Sequence, residues 1–337
     1  MDVAAGYERA LRALGHNVHP FNYHASLAFY QDAIDYWAER NPGFDPNRNA
    51  YLILSSEHSV IAALDFMPDI VLIVSGMALH RRAYDLLDRL RFPLALILTE
   101  SPYLDEAHSL ILNKGHIAVA FTNDRQSVEP LSEKTGVRVK YLPHSYDPAT
   151  HYPRNTNGAH DTDVFFHGTL WPEREQLLAP LRELPYRVRI SGIDPSIESL
   201  EEADKVLANM VHNDELADLY CGTRIALNHH RTFIGVKEKQ RHIEAGSAWS
   251  LGPRAFEIAA CGAFQLCDDT RPELAEVFGD TVATYTDERD LRDKIGYYLA
   301  HDDEREAMAL RSHRRVQGCT FETRARDIVI PTLMEVL

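Results

Sequence analysis

Arg254 and Glu257 are the pair whose types and spacing speak most directly of chemistry. They lie in LGPRAFEIAACGAFQLCDD, Leu251 to Asp269. Pro253 suits the first turn of a helix, where its missing N–H costs nothing, and the i, i+3 separation puts Arg254 and Glu257 on one face. Ala259, Ala260, Cys261 and Gly262 are small enough for the helix end to pack closely on the strand that follows. A carboxylate in a strand-end crevice can accept both hydroxyls of a ribose, and an arginine beside a helix N-terminus can hold a diphosphate. The competing reading is a surface Arg–Glu pair on a helix that merely packs.

Two further segments point to an anion. In FFHGTLWPERE, Phe165 to Glu175, a strand ends in Gly168-Thr169 and Pro172 opens a helix, so backbone N–H groups, the Thr169 hydroxyl and Arg174 can converge on a diphosphate. In LNHHRTFIGVKEKQRH, Asn228 closes a strand, and Arg231, Lys237, Lys239 and Arg241 outnumber Glu238, a local +3 within a chain of net charge −15. The set that could hold a ribose and its diphosphate is Gly168, Thr169, Arg174, Asn228, Arg231, Lys237, Arg254 and Glu257. A polyanionic acceptor such as DNA, or a plain solvated loop, competes for the basic segment.

A base for an acceptor hydroxyl must be a carboxylate or histidine within hydrogen-bond reach. Glu100, directly after the apolar run Pro93–Thr99, is the first candidate, and its alternative is a capping or positioning role. Asp2, before the first helix, is a rival, and His144 a weaker third. Asp161-Thr162-Asp163 spells a metal-binding Asp-x-Asp but precedes its apolar strand, so it reads as the start of that strand. His229-His230 and His212 lack zinc-site spacing, and no metal ligand set is assigned.

The elements that must position these groups alternate. Apolar runs at Asp69–Ser75, Pro93–Thr99, His116–Thr122 and Val137–Leu142, with helical stretches between them, predict a parallel sheet covered by helices. PHSYDPATHYPRNTNGAHD, Pro143 to Asp161, has no apolar period and reads as a linker. The alternation restarts at Asp163–Gly168, Tyr186–Gly192, Thr223–His229, Ala263–Asp268 and Thr281–Tyr285. The domains are thus 1–145, a linker 146–161, 162–319, and a C-terminal helix 320–337 returning toward the first domain. The start is unusual: an amphipathic helix from Asp2 to Leu14 comes before the strand expected at His16–Phe21. Either one strand is truncated from this start or the domain lacks it.

Composition sets bounds. A length of 337 residues suggests about two domains, and 45% hydrophobic with 25% charged residues is an ordinary globular balance. The net charge of −15 opposes general nucleic-acid or anionic-membrane binding. The four cysteines form no Cys-x-x-Cys pair and read as reduced thiols. No apolar run reaches the roughly 18 residues of a membrane span, and the N-terminus lacks a signal-peptide layout, so the expected location is the cytoplasm.

Arg254, Phe256, Glu257, Ala260, Cys261 and Gly262 fit the pattern R-x-F-E-x-x-A-C-G, through which the chain resembles the CgeB-like glycosyltransferases of the GT-B fold. The resemblance continues through PELAEVFGD, YTDERDLRDKIGYYLAHDDER and PHSYDPATHYP. It implies two Rossmann-like domains facing each other across a cleft, with the Arg254–Gly262 segment and the Gly168 turn forming two walls of the nucleotide-sugar pocket. Many retaining relatives carry a second glutamate eight positions before the ribose-binding one; here Trp249 stands there, so that mechanism does not carry over. The resemblance implies transfer from a nucleotide-diphosphate sugar, UDP-linked by preference, to a hydroxyl, with no cofactor required. Hydroxymethylated pyrimidines in phage DNA, surface glycans or proteins, and small metabolites are all compatible acceptors, and the oligomeric state stays open. A nucleotide-sugar epimerase or hydrolase, or a non-catalytic sugar-nucleotide-binding module, are the alternatives.

Overall fold

The computed structural model describes residues 3–41, 43, 49–158, 161–192, 211, 213–234, 241–242 and 248–337. Residues 3–142 with 325–337 pack as one compact unit, and residues 143–324 as another.

The first unit holds helices α1 (Val3–Ala13), α2 (Tyr23–Arg40), α3 (Ala50–Phe66), α4 (Arg81–Arg89), α5 (Asp105–Leu112) and α6 (Val128–Thr135). Its strands β1 (Val71–Val74), β2 (Leu94–Leu98), β3 (Ile117–Thr122) and β4 (Val139–Tyr141) form a parallel sheet in the order β1-β2-β3-β4. Strand β2 is LALIL, buried at every residue, because a central parallel strand covered on both faces needs a continuous apolar run. Tyr84, Leu87, Leu94, Leu96 and Leu98 form the heart of the core. Each crossover steps to the adjacent strand in the same direction, so this sheet has no reversal of strand order.

The strand expected at His16–Phe21 does not form; the chain is irregular there until Asn22 caps α2 by accepting from Ala25 N at 3.0 Å. Pro20 removes a ladder donor, and Val18 and Phe21 alone offer apolar side chains, too few to hold a place in the sheet. Helix α1 is present, burying Gly6, Tyr7 and Ala10, and it contacts the turn Ala325–Val329. The expected single C-terminal helix is instead Phe321–Arg324, a π-helical turn Ala325–Val329, and Ile330–Met334. Pro331 supplies no N–H to the preceding turn and its ring crowds the carbonyl there, which favours the wider turn.

The second unit contains β5 (Thr162–His167), α7 (Pro172–Leu178), β6 (Val188–Ser191), α8 (Asn213–Gly222), β7 (Thr223–Asn228), α9 (Pro253–Ala260), β10 (Gln265–Asp268), α10 (Glu273–Phe278), β11 (Ala283–Tyr285), α11 (Glu288–Ala300) and α12 (Asp302–Val316). Strands β8 (Phe233–Ile234) and β9 (Arg241–His242) form a short antiparallel hairpin. The five main strands are parallel in the order β11-β10-β7-β5-β6. From β5 the chain steps outward to β6 and then crosses back to β7 on the other side. Order reverses between β5 and β7, and in open α/β sheets the crevice at such a reversal, beyond the carboxyl ends of the strands, is where ligands bind. Val164 and Phe166 enter one apolar cluster and Phe165 another, so both faces of β5 are covered.

The segment read as a linker is packed into this unit. Tyr146 bridges Thr320 in parallel fashion, its N–H donating to Cys319 O at 3.1 Å, and Ser145, Asp147 and His151 are buried. Gly262, left-handed at φ +70°, ends α9, and a Cβ there would stand 3.2 Å from Pro153 Cγ. Pro153 of this segment thus lies against the end of α9.

Candidate functional site

Helix α9 starts as the local sequence demands. Gly252 is its N-cap with no side-chain cap, Pro253 occupies the first turn, and Ala255, Ala259 and Ala260 are fully buried, which lets the helix lie close to its neighbours. Its opening turns carry Arg254 and Glu257. The two are hydrogen-bonded, Nη1 donating to Oε2, with Glu257 at 0% exposure and the Arg254 side chain at 23%. This is a buried pair and not a surface one.

The electrostatics follow from that burial. Loss of water would raise the Glu257 carboxyl, but Arg254 beside it wins and holds the pKa down at about 2. Burial would likewise discharge Arg254, and Glu257 keeps it charged. Oxygen Oε2 is engaged by Arg254, whereas the buried Oε1 accepts no hydrogen bond from the described residues and lies 4.0 Å from His151 Nε2. His151 is 3% exposed, and burial outweighs the pull of Glu257, so its pKa is lowered. Half-buried His144 and His167 are pushed down to about 4 by desolvation; Glu257 pulls against that shift at both, and Arg254 adds to it at His167. Three neutral imidazoles thus stand in the field of one ion pair.

A second polar cluster forms where β7, β10 and β11 end. Asp268 Oδ2 accepts from His230 N at 2.6 Å and from His230 Nδ1 at 2.9 Å, while Oδ1 accepts from Thr270 N at 3.2 Å and from the Thr270 hydroxyl. His229 Nδ1 and the Tyr285 hydroxyl are 2.7 Å apart. Burial would raise Asp268, but the histidines beside it and these donors hold its pKa well below the usual carboxylate range. Donor atoms of His230, Cys267 and Asp268 all lie within 4.8 Å of one another. Burial pushes the Cys267 thiol up and keeps it protonated, and the carboxylate is already occupied, so the trio is a hydrogen-bonded cluster.

The residues expected to bind a diphosphate have mixed surroundings. Gly168 N donates to Ser191 O at 3.1 Å, and the turn is so close to the end of β6 that a Cβ on Gly192, at φ +157°, would sit 1.8 Å from Gly168 O. Arg174 donates to Thr169 O at 2.9 Å and to His229 O at 2.7 Å, tying together the ends of β5 and β7. The Asn228 amide is buried and donates to Cys267 Sγ at 3.5 Å. Arg231 lies over the Trp171 ring at 4.0 Å. Lys237, Lys239 and Asp2 lie outside the described residues, and for Arg241 the structure describes the main chain alone.

In the other unit, Glu100 is exposed just beyond β2. Its loop is pinned by a buried network: Ser101 Oγ donates to Asp105 Oδ1 at 2.6 Å, Ser101 Oγ lies 3.2 Å from His108 Nδ1, and Asn123 bonds both main-chain groups of Ser101 at 2.9 Å. Asp161 and Asp163 pair with Arg187 at the amino end of β5, at 2.7 and 3.4 Å, away from the strand ends that form the crevice. His151, His167 and Asp268 were not among the candidates, and His230 was weighed only as a zinc ligand and set aside. His151 sits in a segment without apolar period, and His230 carries no motif spacing, because its partner is 38 residues away.

A family described as glycosyl transferase-like matches residues 174–329. Spore protein CgeB of Bacillus subtilis (strain 168) is 26% identical over 303 residues, spanning 86% of this chain and 90% of that one. Sucrose-phosphate synthase from Thermosynechococcus elongatus superposes with TM-score 0.58 at 13% identity, covering 88% of this chain and 82% of that one. Anabaena Alr3699/HepE in complex with UDP-glucose gives TM-score 0.57 at 14% identity, covering 90% and 89%. At such identities the solved structures speak for the fold alone, and that fold is GT-B. Among the described residues no helix is long and apolar enough to cross a membrane.

Proposed function

Because the chain belongs with the CgeB-like glycosyltransferases of the GT-B fold, we propose that it moves a sugar from a UDP-linked donor to a hydroxyl of a surface glycan or protein. The observation that carries the donor assignment is Glu257: an ionised carboxylate with one oxygen engaged by Arg254 and the other accepting nothing from the described residues, in the opening turns of a helix packed at the carboxyl ends of the strands. Two ribose hydroxyls suit such a carboxylate, and Arg254 with the uncapped start of α9 suits the adjacent phosphates. A solved GT-B relative in complex with UDP-glucose supports the choice of nucleotide. The net charge of −15 works against a polyanionic acceptor such as phage DNA.

Chemistry in this reading is positioning plus stabilisation of the departing diphosphate by Arg254, Arg231, Lys237 and helix N-termini. If the anomeric configuration inverts, a carboxylate takes the acceptor proton, with Glu100 the first candidate and Asp2 the second. No metal is required by a site already cationic.

The complete burial of Glu257 favours a second reading, in which the pair with Arg254 simply holds the helix. Glu257→Gln separates the two. Calorimetric titration with UDP and with its 2′,3′-dideoxy analogue should show a loss of about tenfold to a hundredfold for UDP, the size of one charge-assisted hydrogen bond, and a far smaller loss for the analogue. Equal losses would establish the structural reading.

A further inference from the structure

Cys221 and Cys261 take no part in the site described above, yet the fold brings them together. Cys221 stands in the last turn of α8 and Cys261 is the C-cap of α9, 40 residues further along the chain. Sγ of Cys221 lies 3.5 Å from the main-chain oxygen of Cys261 and 3.5 Å from that of Tyr152, and the Cys261 side chain hydrogen-bonds to it. Both residues are free thiols. Cys261 is 3% exposed, whereas Cys221 is only partly covered. One sulfur of the pair is open to a reagent, and the other stands behind it.

The surroundings make Cys221 the nucleophile of the two. As a thiol it donates to Cys261 O or Tyr152 O; as a thiolate it accepts from the Cys261 thiol and from the Arg154 main-chain N–H. Its pKa is lowered to about 7, chiefly by the Cys261 hydrogen bond; burial opposes that shift, the Arg154 N–H and guanidinium add to it, and Asp218 of α8 counts against it. Arg154 is held there by its pairing with Asp218 at 2.9 Å. The thiol of Cys261 is raised by its bond to Cys221 and by burial, with Glu257 raising it further, and those of Cys267 and Cys319 are raised by burial. Oxidants select thiols that combine ionisation with access, and a neighbouring second thiol turns the first oxidation product into a disulfide.

We propose that Cys221 and Cys261 are an oxidisable dithiol, in which Cys221 reacts with a hydroperoxide and Cys261 closes a reversible disulfide. In the first step the Cys221 sulfur attacks the peroxide: an S–O bond forms, the O–O bond breaks, and the sulfenic acid and one alcohol, or one water from hydrogen peroxide, are left. In the second the Cys261 sulfur attacks that of Cys221, so that an S–S bond forms and the S–O bond breaks. The departing hydroxyl leaves as water with the Cys261 proton. Two thiols are oxidised by two electrons in all, and one peroxide is reduced. The new bond ties the end of α8 to the end of α9, the helix that carries Arg254 and Glu257.

Treating the folded, fully reduced protein with hydrogen peroxide at neutral pH, then blocking free thiols and mapping peptides by mass spectrometry, tests this. The wild type should lose two of its four thiols, the map should show Cys221 joined to Cys261 within one chain, and dithiothreitol should restore both. Cys261→Ala should stop at the sulfenic acid, which dimedone labels on Cys221. Cys221→Ser should keep its three remaining thiols under the same treatment. A wild-type disulfide to Cys319 or between chains, oxidation of Cys221 that ends at sulfinic acid with Cys261 still free, or equal thiol loss in Cys221→Ser overturns the proposal. The wild-type map decides the pairing even where a variant fails to fold.

Discussion

Arg254 holds Glu257 ionised inside the protein, against the whole cost of taking a carboxylate out of water. Removing one member of such a pair is worse than removing both, because the survivor is left charged without a partner. Arg254→Met should destabilise the protein by about 3–5 kcal/mol, and Arg254→Met with Glu257→Gln should recover part of that loss. Urea denaturation of the two variants checks this; a double variant less stable than the single would show that the charges do not compensate each other.

Acid should unfold the protein in two stages. His144, His167 and His229 have folded pKa values lowered from 6.5 to about 4, so below pH 6.5 the unfolded chain binds protons that the folded one refuses, and stability falls until about pH 4. Glu257, lowered from 4.5 to about 2, contributes stability that is complete above 4.5 and is lost as pH falls toward 2. Urea midpoints followed from pH 7.5 downward should therefore begin to drop near 6.5. His167→Asn should flatten the first stage and leave the second unchanged.

Gly192→Ala should be among the costliest small substitutions in the second unit. The new methyl would stand 1.8 Å from Gly168 O at a backbone angle that side chains rarely adopt. Either the end of β6 or the Gly168-Thr169 turn must shift, at a cost of about 1–3 kcal/mol or more. Thermal melting together with pyrophosphate titration checks it, both being expected to weaken.

Asp163→Ala should separate stability from binding. Asp163 accepts from Arg187 N at 2.8 Å and meets Arg187 and Arg224 at the amino end of β5. Loss of a charge-assisted hydrogen bond costs about 1.5–3 kcal/mol, and UDP affinity should not change. A loss of UDP binding restored by a divalent cation would contradict the assignment of Asp161 and Asp163 to the fold.

What the amino-acid sequence determined by itself was the class of each element and the boundary of the alternation. Short continuous apolar runs bounded by turn residues, such as Leu94–Leu98 and Val164–Phe166, read as buried strands, and Pro253 with Gly262 brackets a helix, because these signals act within a few residues. The same locality misled at His16–Phe21, where an apolar residue or two suggested a strand that had no neighbour to pair with. It was also silent about α2 and α3. The site divided along the same line. Arg254 and Glu257 were legible because their relation is helical spacing; His151 with Glu257, and His230 with Asp268, are meetings between distant segments. Which imidazole ends up buried beside which carboxylate depends on strand order, and the reversal between β5 and β7 that brings those ends together is decided only when the whole sheet assembles. Burial, and with it every shifted pKa in the site, comes from that assembly.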